Sequence, residues 1–157
     1  MAKEEDRTKV AYCGIYCGEC FIHQGTIADL ARDLRKELRS ARFEKTAEAI
    51  SKIPMFRVFE KYPDCYEVLG NMVKMRCNKT CRGGGANPGC KIRLCCQKRE
   101  YEGCWECDDF ETCQKLDFLK GGHGDAILLN LRKIKKKGMD EFLAGEKLWY
   151  SKSRESA

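Results

Sequence analysis

Histidine and proline are scarce in this 157-residue chain, with two residues of the first and three of the second. Nor does any apolar run approach the roughly 18 residues needed to span a bilayer. Each shortage excludes something. With so little histidine, no Ser-His-Asp arrangement is available, and no paired carboxylates mark a cleft, so the sequence offers no catalytic constellation and leans away from an enzyme. Low proline, with 34% charged and 43% hydrophobic residues, fits a globular chain rather than a disordered one. No apolar stretch follows residues 1–9, so no signal peptide and no membrane span are expected. The expected location is the cytoplasm, where thiols stay reduced. Strand-like alternation is missing as well, which leaves helices as the regular elements.

Cysteine, by contrast, is abundant, with twelve residues. Ten fall into close-set groups: Cys13-x3-Cys17-x2-Cys20, Cys77-x3-Cys81, Cys90-x4-Cys95 and Cys104-x2-Cys107-x5-Cys113. Thiolates two to four residues apart can converge on one tetrahedral ion across a tight turn. These ten are the expected metal ligands. An even count also permits a disulfide framework, but that reading needs export and suits shorter scaffolds. Zinc needs four ligands, so the Cys13 and Cys104 trios each require one more, and Cys77 and Cys81 must join members of other groups. Cys96, His23 and His123 are the further candidates. Cys65, without near cysteine neighbours, is expected to be a buried helical thiol.

The formal net charge of +6 counts every cysteine as neutral. Metal ligation deprotonates thiols. Ten thiolates remove ten charges; two divalent ions return four and leave the net at 0, whereas three ions leave +2. Between positions 74 and 99 stand eight basic residues (Lys74, Arg76, Lys79, Arg82, Lys91, Arg93, Lys98 and Arg99) and no Asp or Glu. A tetrathiolate zinc centre carries a formal charge of −2, which such neighbours would compensate.

One metal-binding domain is expected over residues 10–150, with frayed tails at 1–9 and 151–157. Within it, the N-terminal knuckle covers 12–23 and the helical part 26–76. Ile27, Leu30, Ala31, Leu34 and Leu38 recur at helical spacing, Thr26 is a candidate N-cap, and the pattern runs to about 52 with a bend near Ser40. Pro54 and Pro63 suit helix starts. The cysteine-rich region covers 77–116, and residues 77–113 read as irregular, since Arg82-Gly-Gly-Gly-Ala-Asn-Pro-Gly89 cannot hold a regular element. That glycine run lacks the Gly-Lys-Ser/Thr of a P-loop and any preceding strand. C-terminal helices are expected over 125–150: a glycine turn at 121–124, Asp125 as cap, then Ile127, Leu128, Leu131 and Ile134 on one stripe ending at Gly138.

Three strings, Tyr12-Cys-Gly-Ile-Tyr-Cys-Gly-Glu-Cys20, Cys90-Lys-Ile-Arg-Leu-Cys95 and Cys104-Trp-Glu-Cys-Asp-Asp-Phe-Glu-Thr-Cys-Gln-Lys-Leu116, resemble an uncharacterised prokaryotic family, the cysteine-rich "domain of unknown function 3795". The resemblance covers roughly residues 10 to 120. It implies a metal-binding protein, with zinc as the metal and no established activity to carry over. Members often have an additional cysteine three residues before the position of Cys90; here that position is Asn87, and Cys96 or His23 would make up the count.

The expected fold is mainly α: a small, metal-stabilised single domain in which helices flank irregular cysteine-rich loops. Zinc, two or three ions, is the expected cofactor, and the function a binding or adapter module for a protein or nucleic-acid partner. A cysteine-ligated iron–sulfur protein with a redox or electron-transfer role is the alternative. Cys-x3-Cys-x2-Cys is also the spacing of radical S-adenosylmethionine enzymes, but the strands of their α/β barrel are absent. Basic residues 132–137 could meet phosphates or form a solvated helix face. Trp105 and Phe110, among six acidic residues, could form a docking surface or cover a metal site.

Overall fold

The computed structural model describes residues 4–85 and 87–150. It is mainly helical, and among the described residues the only ladder pairing is an isolated antiparallel bridge between Val10 and Tyr16. Two compact units emerge, one from 1–23 with 78–157 and the other from 24–77. Among the described residues, no helix is long and apolar enough to cross a membrane.

The first unit is organised around α8 (Ala126–Lys137). Its buried face carries Ile127, Asn130, Leu131 and Ile134, close to the stripe expected from sequence, and it stops before Gly138, whose φ of 85° suits glycine. Against α8 pack α9 (Met139–Ala144), α7 (Asp117–His123) and the 3-10 turn Cys104–Glu106. Val10, Ile15, Ile92, Trp105, Phe110, Leu116 and Phe142 complete one contiguous apolar cluster with α8. Part of the segment expected to fray forms a short helix, α1 (Glu4–Thr8), tied to α9 by an Arg7–Asp140 ion pair of 2.7 Å. The tail 151–157 lies outside the described residues.

Two expectations for this unit are corrected. Residues 77–113 are not wholly irregular: α6 (Lys91–Lys98) occupies their centre, with Ile92, Arg93 and Cys96 on its buried face. Its composition favours helix once Cys90 takes the N-cap position, and irregular backbone is left to the glycine run with its lead-in and to short stretches around the 3-10 turns that follow. Likewise α7 runs through Gly121 and Gly122 to His123, so the turn is confined to Gly124 (φ 60°) and Asp125.

The knuckle loop 10–16 docks on α8 through a turn in which Gly14 donates to the Ala11 carbonyl (2.9 Å) and Ala11 to the Ile15 carbonyl (2.8 Å). Gly14 has φ 83°, and a Cβ there would press on Leu131 at 3.1 Å, so both conformation and space call for glycine. Asn130 locks this arrangement. Its Nδ2 donates to the carbonyls of Gly14 (3.1 Å) and Leu148 (2.8 Å), and its Oδ1 accepts from the Leu148 N–H (3.0 Å).

The second unit holds α3 (Thr26–Ser40), α4 (Phe43–Ile50), a 3-10 stretch (Pro54–Lys61) and α5 (Tyr62–Lys74), after the short α2 (Phe21–Gln24) at the division. The expected bend is real and falls at Ala41 and Arg42, the latter at φ 49°. Gly25, not Thr26, is the N-cap of α3, in a left-handed conformation. Helix α3 is also rotated from expectation. Ala28, Ala31, Arg35 and Leu38 form its inner face, whereas Ile27, Leu30 and Leu34 are exposed. Small alanines let α5 approach α3, their main partner in this unit, and the Arg35 guanidinium stacks 4.0 Å over the Tyr66 ring. On α5 the inner face is Tyr62, Tyr66, Leu69 and Val73, which leaves Cys65 exposed rather than buried. Phe43 meets Tyr62 and Phe59 at 5.3 and 6.0 Å between ring centroids.

Truncating Asn130→Ala would strand two buried carbonyls and one N–H, at about 1–3 kcal/mol for such a loss or somewhat more for several. A fall in the urea midpoint of that size, with an unchanged denaturant slope, is the expected result.

Candidate metal centres

The first unit gathers the cysteines from distant stretches of chain. Each Cys-x2-Cys pair is bent by the same local device, a 3-10 turn. The Cys20 N–H donates to the Cys17 carbonyl (3.1 Å), and the Cys107 N–H to the Cys104 carbonyl (3.0 Å). A third turn sets Cys113, whose N–H donates to the Phe110 carbonyl (3.3 Å). The N-terminal knuckle and the Cys104 turn are then stitched together, because the Cys104 N–H donates to the Tyr12 carbonyl at 2.8 Å.

Two thiol groups result. In the first, Cys13 is close enough to Cys81, Cys90 and Cys17 for their charges to disfavour its own. Burial pushes the Cys13 thiol from an ordinary 9.0 up to about 12, an Ile15 backbone hydrogen bond works the other way, and those three cysteines add to the rise. Cys81 is likewise raised by burial, against a backbone hydrogen bond from Tyr12 and the nearby Arg93 and Arg82.

In the second group, Cys95, Cys96, Cys104, Cys107 and Cys113 line one cavity of about 30 Å³, with Ile92, Tyr101, Phe110 and Leu116 as its apolar wall. That is room for a single small species. Cys96 and Cys104 approach to 3.7 Å between Sγ atoms. The hydrogen bond with Cys104 draws Cys96 below its ordinary range, helped by Arg82 and Arg99. Cys104 is pushed far up by its hydrogen bond with Cys96 and by burial.

Cations surround both groups, and their partners are unusual. Arg93 is 6% exposed, yet its guanidinium meets no carboxylate among the described residues. Instead Nη1 donates to the carbonyls of Cys81 (3.1 Å) and Gly85 (3.0 Å), and Nη2 to those of Asn87 (2.9 Å) and Pro88 (2.8 Å). This clamp is what orders the glycine-rich loop between Cys81 and Cys90. Arg82 donates to the Val10 (2.8 Å) and Glu102 (2.7 Å) carbonyls and lies over the Tyr12 ring at 4.8 Å. Arg99 points Nη1 at the Cys107 sulfur, 3.8 Å away. Three guanidiniums thus lie beside thiols, with the full positive charge of none offset by a carboxylate ion pair among the described residues.

The donor set suits a soft or borderline cation. Among the described residues no three Cys, His, Asp or Glu side chains already form a closed cage. Yet two sulfurs on one tetrahedral zinc, at about 2.3 Å each, lie about 3.8 Å apart, and Cys96 and Cys104 are at 3.7 Å. That separation is too long for a disulfide.

Eight of the ten expected ligands enter these two groups, and Cys96 joins them. Cys20, half-buried, caps the Cys17 turn, and Cys77 ends the second unit. His123 is engaged elsewhere: Nδ1 meets the Trp149 carbonyl at 2.8 Å, and its ring packs edge-on against that indole. His23 lies in α2. Sequence reasoning named Arg82, Arg93 and Arg99 as part of a basic run but could not see the carbonyl clamp; the absence of acid around them was the available signal. The acidic, aromatic docking surface is overturned, because Trp105 and Phe110 are 6% and 4% exposed and belong to the core. Of the basic residues 132–137, most have partners: Arg132 pairs with Glu111, Lys135 with Asp108 and Lys137 with Glu141, and Lys133 caps the Glu146 carbonyl, while Lys136 is exposed.

The chain belongs to the family described as "Protein of unknown function (DUF3795)", whose model matches residues 9–118. That span takes in both thiol groups and ends two residues after Leu116. No curated protein and no solved structure matches the chain.

Arg93→Leu would remove four hydrogen bonds to carbonyls in one step. Faster amide exchange confined to residues 81–90, together with lower overall stability by about 2–4 kcal/mol, is the expected outcome; Arg93→Lys, lacking the planar fork, should rescue little of it.

Proposed function

We propose that this protein binds two zinc ions through thiolates of its first unit, and that the metal-held unit is a binding module for a macromolecular partner. One site would use Cys13, Cys17, Cys81 and Cys90. The other would use four of Cys95, Cys96, Cys104, Cys107 and Cys113. The observation that carries this reading is the five-thiol cavity whose Cys96–Cys104 separation of 3.7 Å equals the edge of a zinc tetrahedron.

The guanidiniums support it. A buried cation without an anion is costly, and a −2 tetrathiolate centre beside Arg93 and Arg82 would supply the missing charge. Zinc contributes no redox chemistry of its own and closes loops that have no other regular structure. Cys20 and Cys77 are required by neither site, which favours two ions over three. The same thiols could hold an iron–sulfur cluster, and colour separates the two readings.

Protein made anaerobically should be colourless and carry two equivalents of zinc by elemental analysis. Cys107→Ser should lower the content by one equivalent and leave the other. A brown sample with stoichiometric iron and sulfide would reject zinc in favour of the cluster.

The pH dependence should reverse with metal content. In metal-free protein the raised Cys13 value means that the folded state resists losing that proton. Stability from this group is complete below the unfolded value of 9.0 and declines as pH rises from there toward about 12. In the loaded protein the thiolates are the stabilised form, so stability should decline as pH falls and protons compete with zinc. Thermal midpoints of chelated and loaded samples from pH 5 to 10 should lie well apart at high pH and converge at low pH; two parallel profiles would contradict it.

A further inference from the structure

The second unit contains a groove between α3 and α5 that the metal reading does not use. Its cavity is about 480 Å³ and open to solvent, with Arg32, Arg35 and Arg39 along one wall and Lys74, Asn71 and Tyr66 along the other. The partners of these cations set the groove apart. Arg32 is answered by Asp29 (2.8 Å) and Asp33 (3.0 Å). Arg35, Arg39 and Lys74 meet no carboxylate among the described residues. Their hydrogen bonds go to neutral acceptors: Arg35 to the Tyr66 carbonyl, Arg39 to the Tyr66 hydroxyl at 3.4 Å, and Lys74 to the Asn71 side-chain oxygen at 3.4 Å. Glu67 is the one acidic residue of the lining.

The contrast with α8 is informative. That helix is the more basic by sequence, but Arg132, Lys135 and Lys137 are each paired with an acid. A density of lysines is therefore not what leaves positive charge available here. Concave placement and missing acidic partners are.

We propose that this groove binds the phosphodiester backbone of nucleic acid. Arg35 and Arg39, the two arginines of this wall without an acid, stand one turn apart, about 6 Å along a helix, and Lys74 adds a third positive centre from the facing helix. A ligand that meets all three carries negative charge at more than one point. Guanidinium forks suit phosphate oxygens, and the Tyr66 hydroxyl and the Asn71 amide are the neutral donors that accompany them in backbone contacts. The Tyr66 ring already has neighbours, the Arg35 guanidinium over it at 4.0 Å and Tyr62 at 5.9 Å between ring centroids. The groove therefore reads charge rather than base identity, and binding is insensitive to sequence and sensitive to salt. The groove belongs to the second unit and not to the metal-held one, so the inference goes beyond the adapter reading, and no residue of the groove belongs to either thiol group.

The test uses the full-length, metal-loaded protein and a fluorescein-labelled random 12-nucleotide RNA, read by anisotropy at 50 and 200 mM salt. Saturable binding that weakens by about tenfold or more across that range is expected. Arg39→Glu with Lys74→Glu should weaken binding by about tenfold or more at 50 mM. A control of equal charge change away from the groove, Lys52→Glu with Lys136→Glu, should stay within about twofold. If the double reversal fails to fold by circular dichroism, Arg39→Gln with Lys74→Gln replaces it, with about threefold or more as the expected loss. No saturable binding at 50 mM salt overturns the proposal. So does equal weakening by groove and control variants, or displacement of the RNA by polyglutamate at matched charge, which would assign the groove to acidic protein. Zinc content measured on the same samples keeps a failure here separate from a failure of the metal reading.

Discussion

A positive charge sealed among carbonyl oxygens, with acid kept away from it, is the constraint around which the first unit is arranged. Arg93 is the clearest instance. Four main-chain oxygens saturate its donors and so satisfy hydrogen bonding, but they carry no full negative charge. Burying a guanidinium in that way is unfavourable unless an anion is near. The Cys81 thiol lies beside it, and a thiol becomes an anion when a metal takes its proton. Half-buried Arg82, held by two carbonyls, and exposed Arg99, aimed at the Cys107 sulfur, bring further positive charge to the second thiol group. Charge, loop order and ligation are in this sense one problem, because the residues that order the Cys81–Cys90 loop are those that would neutralise the centre.

The two units are stabilised differently. The first has a contiguous core in which Leu131 and Phe142 are fully buried and α8 is central. The second buries only alanines among its apolar side chains, Ala28, Ala31 and Ala47, and relies on aromatic contacts that are half-exposed. Fifty-four residues with so small a core are expected to be the weaker element. Its helices approach closely because their facing side chains are small, and that same closeness brings Arg35 onto Tyr66 and creates the basic groove.

Much of the helical content was legible. The stripe of α8, the bend after Ser40 and the proline-led start of α5 follow from spacing and from backbone chemistry that acts within a few residues. Other features were not legible. Helix α3 was assigned the wrong inner face, since leucine outnumbers alanine as a hydrophobic signal but closeness of approach decided the packing. Cys65 was placed inside because an isolated thiol reads as apolar, whereas Tyr62 and Tyr66 claim the inner face of α5. Between a docking surface and a cover over a metal site the sequence does not choose for Trp105; the ring is buried while Glu102 and Glu106 are exposed, a distinction that adjacency in sequence does not contain.

By itself the sequence determined the family, the helical class and which residue types could hold a metal, because thiol spacing and helical periodicity are local properties of the chain. Only the tertiary structure decided which thiols meet. Cys13 faces Cys81 and Cys90 across more than sixty residues, and Cys96 faces Cys104 because α6 turns it inward. It also decided which cations remain without an acid. The physical reason is the same in both cases: charges and ligands act through distances of a few ångströms, and those distances are set by how the helices pack.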